Sequence, residues 1–237
     1  MIALWNSIKK GYLVLIEPAA QYCVGRGINP NVITTIGTVC TIAAAVSYAF
    51  GHISIGGWIL GLTALFDVLD GIVARRTGRE TKFGAFYDSS LDRVSDGMIL
   101  GGLTVFYATD TPHHSVQMVI ICVLAIIGTF LTSYTRARAE PLGIDAKVGM
   151  IQRVERVVLL SAPQALFGLA FNGWVLASIV TLLAVTSWIT AIQRIAYVHK
   201  VLSPSVAKIE FSPDRIHSPS AAPDGAHAAV HAPSPQQ

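Results

Sequence analysis

Six apolar stretches, each about as long as a bilayer is thick, constrain the fold more than any other feature of this sequence. They cover roughly residues 32–51, 54–76, 85–108, 116–138, 151–171 and 174–198. A transmembrane helix needs about 20 mainly apolar residues, because its backbone must satisfy its own hydrogen bonds in lipid. Only 13% of the 237 residues are charged, whereas soluble domains carry about a quarter. The sequence therefore predicts an all-α integral membrane protein with six transmembrane helices.

The two ends of the chain differ in composition from these stretches. Residues 2–26 mix apolar side chains with Lys9 and Lys10, which predicts an amphipathic helix lying along the membrane surface. A soluble N-terminal helix is the alternative. From about residue 202 the chain is rich in Pro, Ala, Ser and His, which indicates a disordered tail. We therefore predict an interfacial helix at 1–30, a six-helix transmembrane domain at 31–200 and a tail at 201–237.

The basic residues predict the orientation of this bundle. The connections near 52–53, 109–115 and 172–173 contain no Lys or Arg, whereas the connections on the other side are rich in both. Basic loops remain in the cytoplasm during membrane insertion. We therefore expect a multi-pass protein of the cell (inner) membrane, with both termini in the cytoplasm.

Four aspartates lie within the predicted spans, where a charged group is costly and marks a functional site by default. Asp67 and Asp70 come late in the second span, and Asp88 and Asp92 come early in the third. Residues three or four apart share one face of a helix, so each pair points in one direction. Two antiparallel helices joined by a short loop would bring all four carboxylates to a common point.

Carboxylates gathered in a low-dielectric site repel one another unless a positive charge lies among them. Oxygen ligands suit hard cations, so the aspartates predict a site for Mg²⁺, with Mn²⁺ as an alternative. Gly71 and Ala74 on the same face leave room for a bulky ligand, and Arg75 can pair with a phosphate. Two other interpretations stay open. One is a structural acid–base network with Arg75, Arg93 and Asp96, and the other is a cation transporter.

The spacing of these residues resembles a family signature. The segments 67–75 and 84–92 match the pattern D-x2-D-G-x2-A-R-x8-G-x3-D-x3-D of the CDP-alcohol phosphatidyltransferases at every fixed position. Those positions are filled by Asp67, Asp70, Gly71, Ala74, Arg75, Gly84, Asp88 and Asp92. The resemblance extends over about residues 1–200 and leaves out the tail.

The resemblance implies a reaction and a role for each residue. Members of the family transfer a phosphatidyl group from CDP-diacylglycerol to an alcohol and release CMP. It implies that two metal ions are held by Asp67, Asp70, Asp88 and Asp92. It implies that the nucleotide is bound by Gly71, Ala74, Arg75 and Thr81. It also implies that Asp92 is the general base that takes the proton of the acceptor hydroxyl, and that the protein is a homodimer.

A second cluster of polar residues bears on the acceptor. Ser133, Arg136 and Arg138 end the fourth predicted span, and Arg153 and Arg156 open the fifth. Arginine clusters favour bidentate recognition of a phosphate dianion, which predicts a phosphorylated acceptor. Arg136 and Arg138 are two residues apart, so they cannot both point at one spot from an ideal helix. The alternative is that these arginines anchor helix ends at anionic lipid headgroups.

The sequence around this cluster is similar to that of the phosphatidylinositol-phosphate synthases of the family. The shared pattern is S-Y-x-R/K-A-R-A-E at 133–140, followed by R-x-E-R at 153–156. It implies inositol 1-phosphate as the acceptor, with its phosphate bound by Ser133, Arg136, Arg153 and Arg156. Glycerol 3-phosphate, the acceptor of a phosphatidylglycerophosphate synthase, is the main alternative. The implied protein is a phospholipid-biosynthesis transferase that contacts membrane lipids and has no nucleic-acid partner.

Overall fold

The computed structural model describes residues 16–149 and 153–203. Within these ranges the chain is helical and contains no β-strand. A helical segment at residues 16–25 precedes six longer helices. These are α1 (Pro30–Ala49), α2 (Ile53–Thr77), α3 (Lys82–Ala108), α4 (Val116–Ala139), α5 (Arg153–Phe167) and α6 (Trp174–Leu202). Short 3₁₀ turns at Glu140–Leu142 and Ala170–Gly173 follow α4 and precede α6. The all-α prediction is confirmed.

In the described ranges, four helical stretches are long and apolar enough to cross a membrane, by length and composition. They are Pro30–Ala49, Ile53–Thr77, Val116–Leu142 and Ala170–Leu202. Helix α3 has 27 residues, but its first half carries charged side chains, which lower its hydropathy. Helix α5 has 15 residues and stops at Phe167, because the next residue, Gly168, turns into the left-handed region with φ 51°. Six crossings therefore remain a prediction.

Some of the expected features fall on residues outside the described ranges. The first half of the predicted interfacial helix, including Lys9 and Lys10, is one, and the predicted tail beyond residue 203 is another. The chain divides into two units, residues 1–198 and 199–237. Of the second unit, residues 199–203 are described; they are helical to Leu202, and the Ser203 hydroxyl donates to the His199 carbonyl at 2.8 Å.

Small residues set the helix crossings. A Cβ at Gly102 of α3 would overlap the backbone of Ala45 in α1, and a Cβ at Gly57 of α2 would overlap the backbone of Ala165 in α5. Such close approach between helices is typical of membrane proteins, where packing replaces the hydrophobic effect. Helices α2 and α3 both pack against α1, and α2 also packs against α5. This arrangement lets the acidic ends of α2 and α3 and the basic start of α5 meet.

The helical segment 16–25 is docked on α1 and α2. Its buried side chains join a cluster formed by Ile16, Ala20, Cys23, Ile33, Leu69 and Val73. The Glu17 carboxylate accepts two hydrogen bonds from the Arg76 guanidinium, each of 2.8 Å. These bonds lower the pKa of Glu17 from 4.5 to about 2. The segment is therefore tied to the end of α2 by both apolar packing and charge.

Candidate active site

The four aspartates lie where α2 ends and α3 begins. Helix α2 ends at Thr77 and is capped by Gly78, which has φ 63°, because glycine adopts the left-handed conformation without a steric penalty. Helix α3 begins after Thr81, whose hydroxyl accepts a hydrogen bond from the Gly84 amide at 2.9 Å. The loop between the two caps is short. It reverses the direction of the chain, so that Asp67 and Asp70 on α2 lie near Asp88 and Asp92 on α3.

Each carboxylate of this aspartate row (Asp67, Asp70, Asp88 and Asp92) has its own surroundings. Asp70 is buried and accepts a hydrogen bond of 2.6 Å from the Thr34 hydroxyl of α1. Asp67 and Asp92 share one guanidinium: Arg153 contacts Asp67 Oδ2 at 2.5 Å and Asp92 Oδ1 at 2.8 Å. The positive charge that the sequence predicts among the aspartates is supplied here by an arginine of α5.

The donor set suits a hard cation, although the aspartates are not gathered around one point. All four side chains offer carboxylate oxygens, the ligands that Mg²⁺ and Mn²⁺ prefer. In the described part of the chain no three His, Cys, Asp or Glu side chains come close enough together to hold one metal ion. Since the Arg153 guanidinium engages two of the four carboxylates, it competes with any cation for the same oxygens.

One cavity beside the aspartate row has a volume of about 260 Å³. Its lining comprises Pro30, Asn31, Thr34, Asp70, Gly71, Ala74, Arg79, Glu80, Thr81, Gly84, Ala85 and Asp88. Three of the four predicted nucleotide-binding residues, Gly71, Ala74 and Thr81, are among them. The fourth, Arg75, does not line this cavity. A Cβ at Gly71 would lie 3.3 Å from Arg75 Nη1, so the arginine lies beside the glycine. We call this space the motif cavity.

Arg79 also lines the motif cavity. From the sequence alone it counts only as one of the basic residues that predict how the protein is oriented in the membrane. Its Nη1 donates to the carbonyl oxygen of Gly27 at 2.8 Å, so the guanidinium lies next to the turn that precedes α1. The available signal was its position inside the eight-residue spacer of the signature. A basic side chain between the two halves of the signature is a candidate anion contact.

Another cavity, of about 410 Å³, is strongly basic. It is lined by Asp92, Arg93, Thr132, Ser133, Arg136, Lys147, Val148, Gly149, Arg153, Val154, Arg156 and Arg194. Four of the five predicted acceptor residues, Ser133, Arg136, Arg153 and Arg156, thus meet here. Arg138 is exposed and does not line this cavity, because residues two apart point to different sides of a helix. We call this space the basic cavity.

Three cations of the basic cavity were not predicted as acceptor residues: Arg93, Lys147 and Arg194. Arg194 of α6 donates through Nε to the Val148 carbonyl at 2.8 Å and through Nη1 to the Thr132 carbonyl. It therefore joins α6 to the end of α4 and to the segment before α5. In sequence these residues are far apart and show no common spacing, so no local pattern singles them out.

Part of the predicted acid–base network is also present. Arg156 Nη2 lies 3.1 Å from Asp96 Oδ2, and Arg93 Nη1 lies 3.7 Å from Asp92 Oδ2. Arg153, Arg156, Asp67 and Asp96 line an inner cavity that continues towards the core. Arg75 is not among its lining residues. Asp92 and Asp96 of α3 thus form two successive ion pairs with Arg153 and Arg156 of α5. We call these two pairs the ladder between α3 and α5.

Known proteins match both the sequence and the fold. The family described as CDP-alcohol phosphatidyltransferase matches residues 28–202. The archaetidylinositol phosphate synthase of Methanothermobacter thermautotrophicus is 39% identical over 166 residues, covering 70% of this chain and 80% of that protein. The phosphatidylinositol phosphate synthase of Mycobacteroides abscessus is 34% identical over 192 residues, covering 78% and 84%.

Two crystal structures of the phosphatidylinositol phosphate synthase of Mycobacterium tuberculosis are similar to this fold. One has CDP-DAG bound; it superposes with a TM-score of 0.72 at 32% identity and covers 81% of this chain and 96% of that one. The other, in complex with manganese and citrate, has a TM-score of 0.71 at 32% identity and covers 81% and 91%. With its complete signature, its two cavities and these similarities, the chain belongs to the CDP-alcohol phosphatidyltransferase family.

Proposed function

We propose that this protein transfers a phosphatidyl group from CDP-diacylglycerol to inositol 1-phosphate and releases CMP. The observation that carries the proposal is the placement of the aspartate row between two cavities of different character. Asp70 and Asp88 line the motif cavity, and Asp92 lines the basic cavity. A nucleotide on one side and a phosphorylated alcohol on the other would meet at the aspartates. Two relatives that match are named archaetidylinositol phosphate synthase and phosphatidylinositol phosphate synthase.

The aspartate row is the proposed site for two divalent cations, Mg²⁺ or Mn²⁺. Asp67, Asp70, Asp88 and Asp92 would hold them through carboxylate oxygens. When bound, the cations neutralise the diphosphate of the lipid nucleotide and stabilise the leaving CMP. The hydrogen bond from Thr34 orients one oxygen of Asp70, as hydrogen-bond partners of metal-binding side chains generally do.

The motif cavity would hold the cytidine diphosphate. Gly71 and Ala74 leave the backbone of α2 accessible on this side, and Thr81 and the start of α3 form the opposite wall. Backbone amides at the start of a helix favour negative charge, which suits the phosphates. Arg75 lies against Gly71, beside the motif cavity, and would pair with a phosphate of the nucleotide.

The basic cavity would hold the phosphate of the acceptor, with its hydroxyl directed at Asp92. Ser133, Arg136, Arg153 and Arg156 surround this space, and guanidinium groups pair well with a phosphate dianion. The acceptor hydroxyl oxygen forms a bond to the β-phosphorus of CDP-diacylglycerol, and the bond from that phosphorus to the bridging oxygen breaks as CMP leaves. Asp92 takes the hydroxyl proton.

Arg153 can pair either with the aspartates or with the acceptor phosphate. It pairs with Asp67 and Asp92 and also lines the basic cavity. Asp67 and Asp92 would hold cations through the carboxylates that the guanidinium contacts, so the two positive groups would compete for the same oxygens. From the wall of the basic cavity the guanidinium would also reach the acceptor phosphate. Arg153 would thereby link the loading of the aspartate row to the binding of the acceptor.

We also propose the arrangement of the protein in the membrane. Helices α3 and α5 would complete six crossings, with residues 31–200 forming the catalytic domain, residues 1–30 lying at the interface and residues 201–237 forming a cytoplasmic tail. The basic side would face the cytoplasm of the cell, which places the active site and both termini there. The membership of the family supports a homodimer.

The direct test is CMP release by the purified full-length protein with CDP-diacylglycerol and Mg²⁺. Inositol 1-phosphate, glycerol 3-phosphate, free inositol and serine are offered in parallel, and the lipid product is identified by mass spectrometry. Release with inositol 1-phosphate alone is expected. Release with glycerol 3-phosphate alone would contradict the acceptor and leave the reaction class intact. Metal binding without CMP release from any acceptor would overturn the transferase proposal.

A further inference from the structure

Asp96 is a buried acidic residue that lies outside the family signature. It follows Asp92 by one helical turn on α3, and 10% of its side chain is exposed. Its Oδ2 lies 3.1 Å from Nη2 of Arg156, whose side chain is 12% exposed. Burying two charges costs about as much as their attraction returns, so such a pair is weak evidence for a role in stability alone. Its position beside the active site points to another role.

The Asp96–Arg156 pair is one rung of the ladder between α3 and α5. The other rung joins Asp92 to Arg153 at 2.8 Å. Asp92 and Asp96 are four residues apart on α3, and the two arginines are three residues apart on α5, so each set shares one helix face. Arg153 has two carboxylates within 2.8 Å, whereas Asp96 is the one ion-pair partner of Arg156 in the described ranges.

Asp96 reaches Arg156 from the core side. Asp96 lines the inner cavity but not the basic cavity, whereas Arg156 lines both. The contact of 3.1 Å between Arg156 Nη2 and Asp96 Oδ2 is an ion pair without hydrogen-bond geometry. Asp96 Oδ2 and Arg156 Nε are both buried and have no hydrogen-bond partner in the described part of the chain. A guanidinium has five N–H donors in a rigid plane, so the negative charge of Asp96 on the core side attracts one edge of this plane and leaves the other donors for the basic cavity.

We infer that Asp96 is a positioning residue that holds the Arg156 guanidinium towards the acceptor phosphate and away from Asp92. The inference rests on the proposed function of the basic cavity. Without Asp96, the next carboxylate on the same face of α3 is Asp92, which already contacts Arg153 and Arg93. Pairing with Arg156 there would occupy the oxygens that must accept the hydroxyl proton and would remove a cation from the acceptor.

The test is steady-state kinetics of Asp96→Asn with inositol 1-phosphate and CDP-diacylglycerol varied separately. Loss of one charge-assisted contact to Arg156 is expected to raise KM for inositol 1-phosphate by about tenfold. KM for CDP-diacylglycerol and the Kd for Mn²⁺, measured by electron paramagnetic resonance, are expected to stay unchanged. Asp96→Glu keeps the charge and should restore most of the acceptor affinity. Asp110→Asn, at an exposed outer loop, is the matched control.

A double variant keeps the inference testable if Asp96→Asn does not fold. Asp96→Asn combined with Arg156→Gln replaces the buried ion pair by two amides. If Asp96 acts through Arg156, the double variant and Arg156→Gln alone will show the same KM for inositol 1-phosphate. Additive increases in this KM, or an equal rise in both substrate KM values, would overturn the inference.

The wild-type protein separates the inference from the proposed function. If wild type releases no CMP with inositol 1-phosphate, the proposed function fails, whatever the variants do. If wild type is active and Asp96→Asn leaves KM for inositol 1-phosphate unchanged, the positioning role fails by itself.

Discussion

The motif cavity and the basic cavity both border the aspartate row but are assembled differently. The residues that line the motif cavity fall within 30–34, 70–74 and 79–88, so one loop and its two helices form most of it. The basic cavity is lined by residues from α3, α4, α5, α6 and the segment before α5. A contiguous site is specified by local spacing, whereas a site built from five segments depends on how the helices pack.

This difference has a consequence for specificity. Members of one family can share the donor substrate while using different alcohols, and here the cavity proposed for the donor is the one formed by the signature. The basic cavity can be altered by single changes in distant helices without touching the signature. We therefore expect variants of the two cavities to separate into two kinetic classes.

The largest effect is expected where the cavities meet. Asp92→Asn removes the proposed proton acceptor and a proposed cation ligand, and general base catalysis contributes about 10²–10⁴-fold to rates. CMP release should fall by at least that factor, while size-exclusion behaviour and CDP-diacylglycerol binding are retained. Asp110→Asn, an exposed residue in the loop after α3, serves as control and should be fully active. Normal turnover by Asp92→Asn would refute the base assignment.

The next effect should be confined to the basic cavity. Arg153→Ala removes a guanidinium that pairs with Asp67 and Asp92 and lines the basic cavity, the proposed site of the acceptor phosphate. KM for inositol 1-phosphate should rise by about tenfold or more, while the affinity for Mn²⁺ increases because the competing charge is gone. Kinetics and electron paramagnetic resonance measure the two quantities.

Arg138→Ala is the matched control for Arg153→Ala, since Arg138 is exposed and outside the basic cavity. It should leave both the acceptor KM and the Mn²⁺ affinity as in wild type. A similar rise in acceptor KM for both variants would mean that general positive charge, rather than the cavity, recruits the acceptor. Weaker Mn²⁺ binding by Arg153→Ala would contradict the competition between the arginine and the cation.

A smaller effect should be confined to the motif cavity. A Cβ at Gly71 would lie 3.3 Å from Arg75 Nη1 and would narrow the space beside the aspartates. Gly71→Ala should raise KM for CDP-diacylglycerol by about tenfold, a common cost of overpacking a fitted site, and leave KM for inositol 1-phosphate unchanged. Gly101→Ala, where a Cβ would have no neighbour within 4 Å, is the control. A change in KM for inositol 1-phosphate would show that the two cavities do not bind their substrates independently.

The smallest effect is expected for the pair that ties segment 16–25 to α2. Glu17→Gln should lower Tm slightly at neutral pH, because the pair is exposed to solvent. The pKa of Glu17 is lowered from 4.5 to about 2, so its stabilising effect is complete above about pH 4.5 and is lost as the pH falls towards 2. Thermal melts of both proteins between pH 7 and pH 2 should therefore converge only in the most acidic samples. A difference in Tm that vanished by pH 5 would contradict this.

The positions of the helices were well predicted from apolar length. The predicted stretch 54–76 corresponds to α2, Ile53–Thr77, and 116–138 corresponds to α4, Val116–Ala139. The stretch 151–171 was predicted too long, since α5 ends at Phe167. The reason is local backbone geometry: Gly168 is left-handed, and Phe171 and Asn172 also have positive φ. Hydropathy reports which residues prefer lipid but not where the backbone leaves the helix.

What the sequence by itself determined is the row of aspartates and the family signature around it. Helical periodicity is a local property, so residues 67–92 place their carboxylates and small residues without reference to the rest of the chain. The tertiary structure alone decided which cations line the basic cavity. It brought Arg194, Arg93 and Lys147 into the basic cavity and left Arg138 outside, because side-chain convergence depends on the crossing and rotation of helices that are remote in sequence.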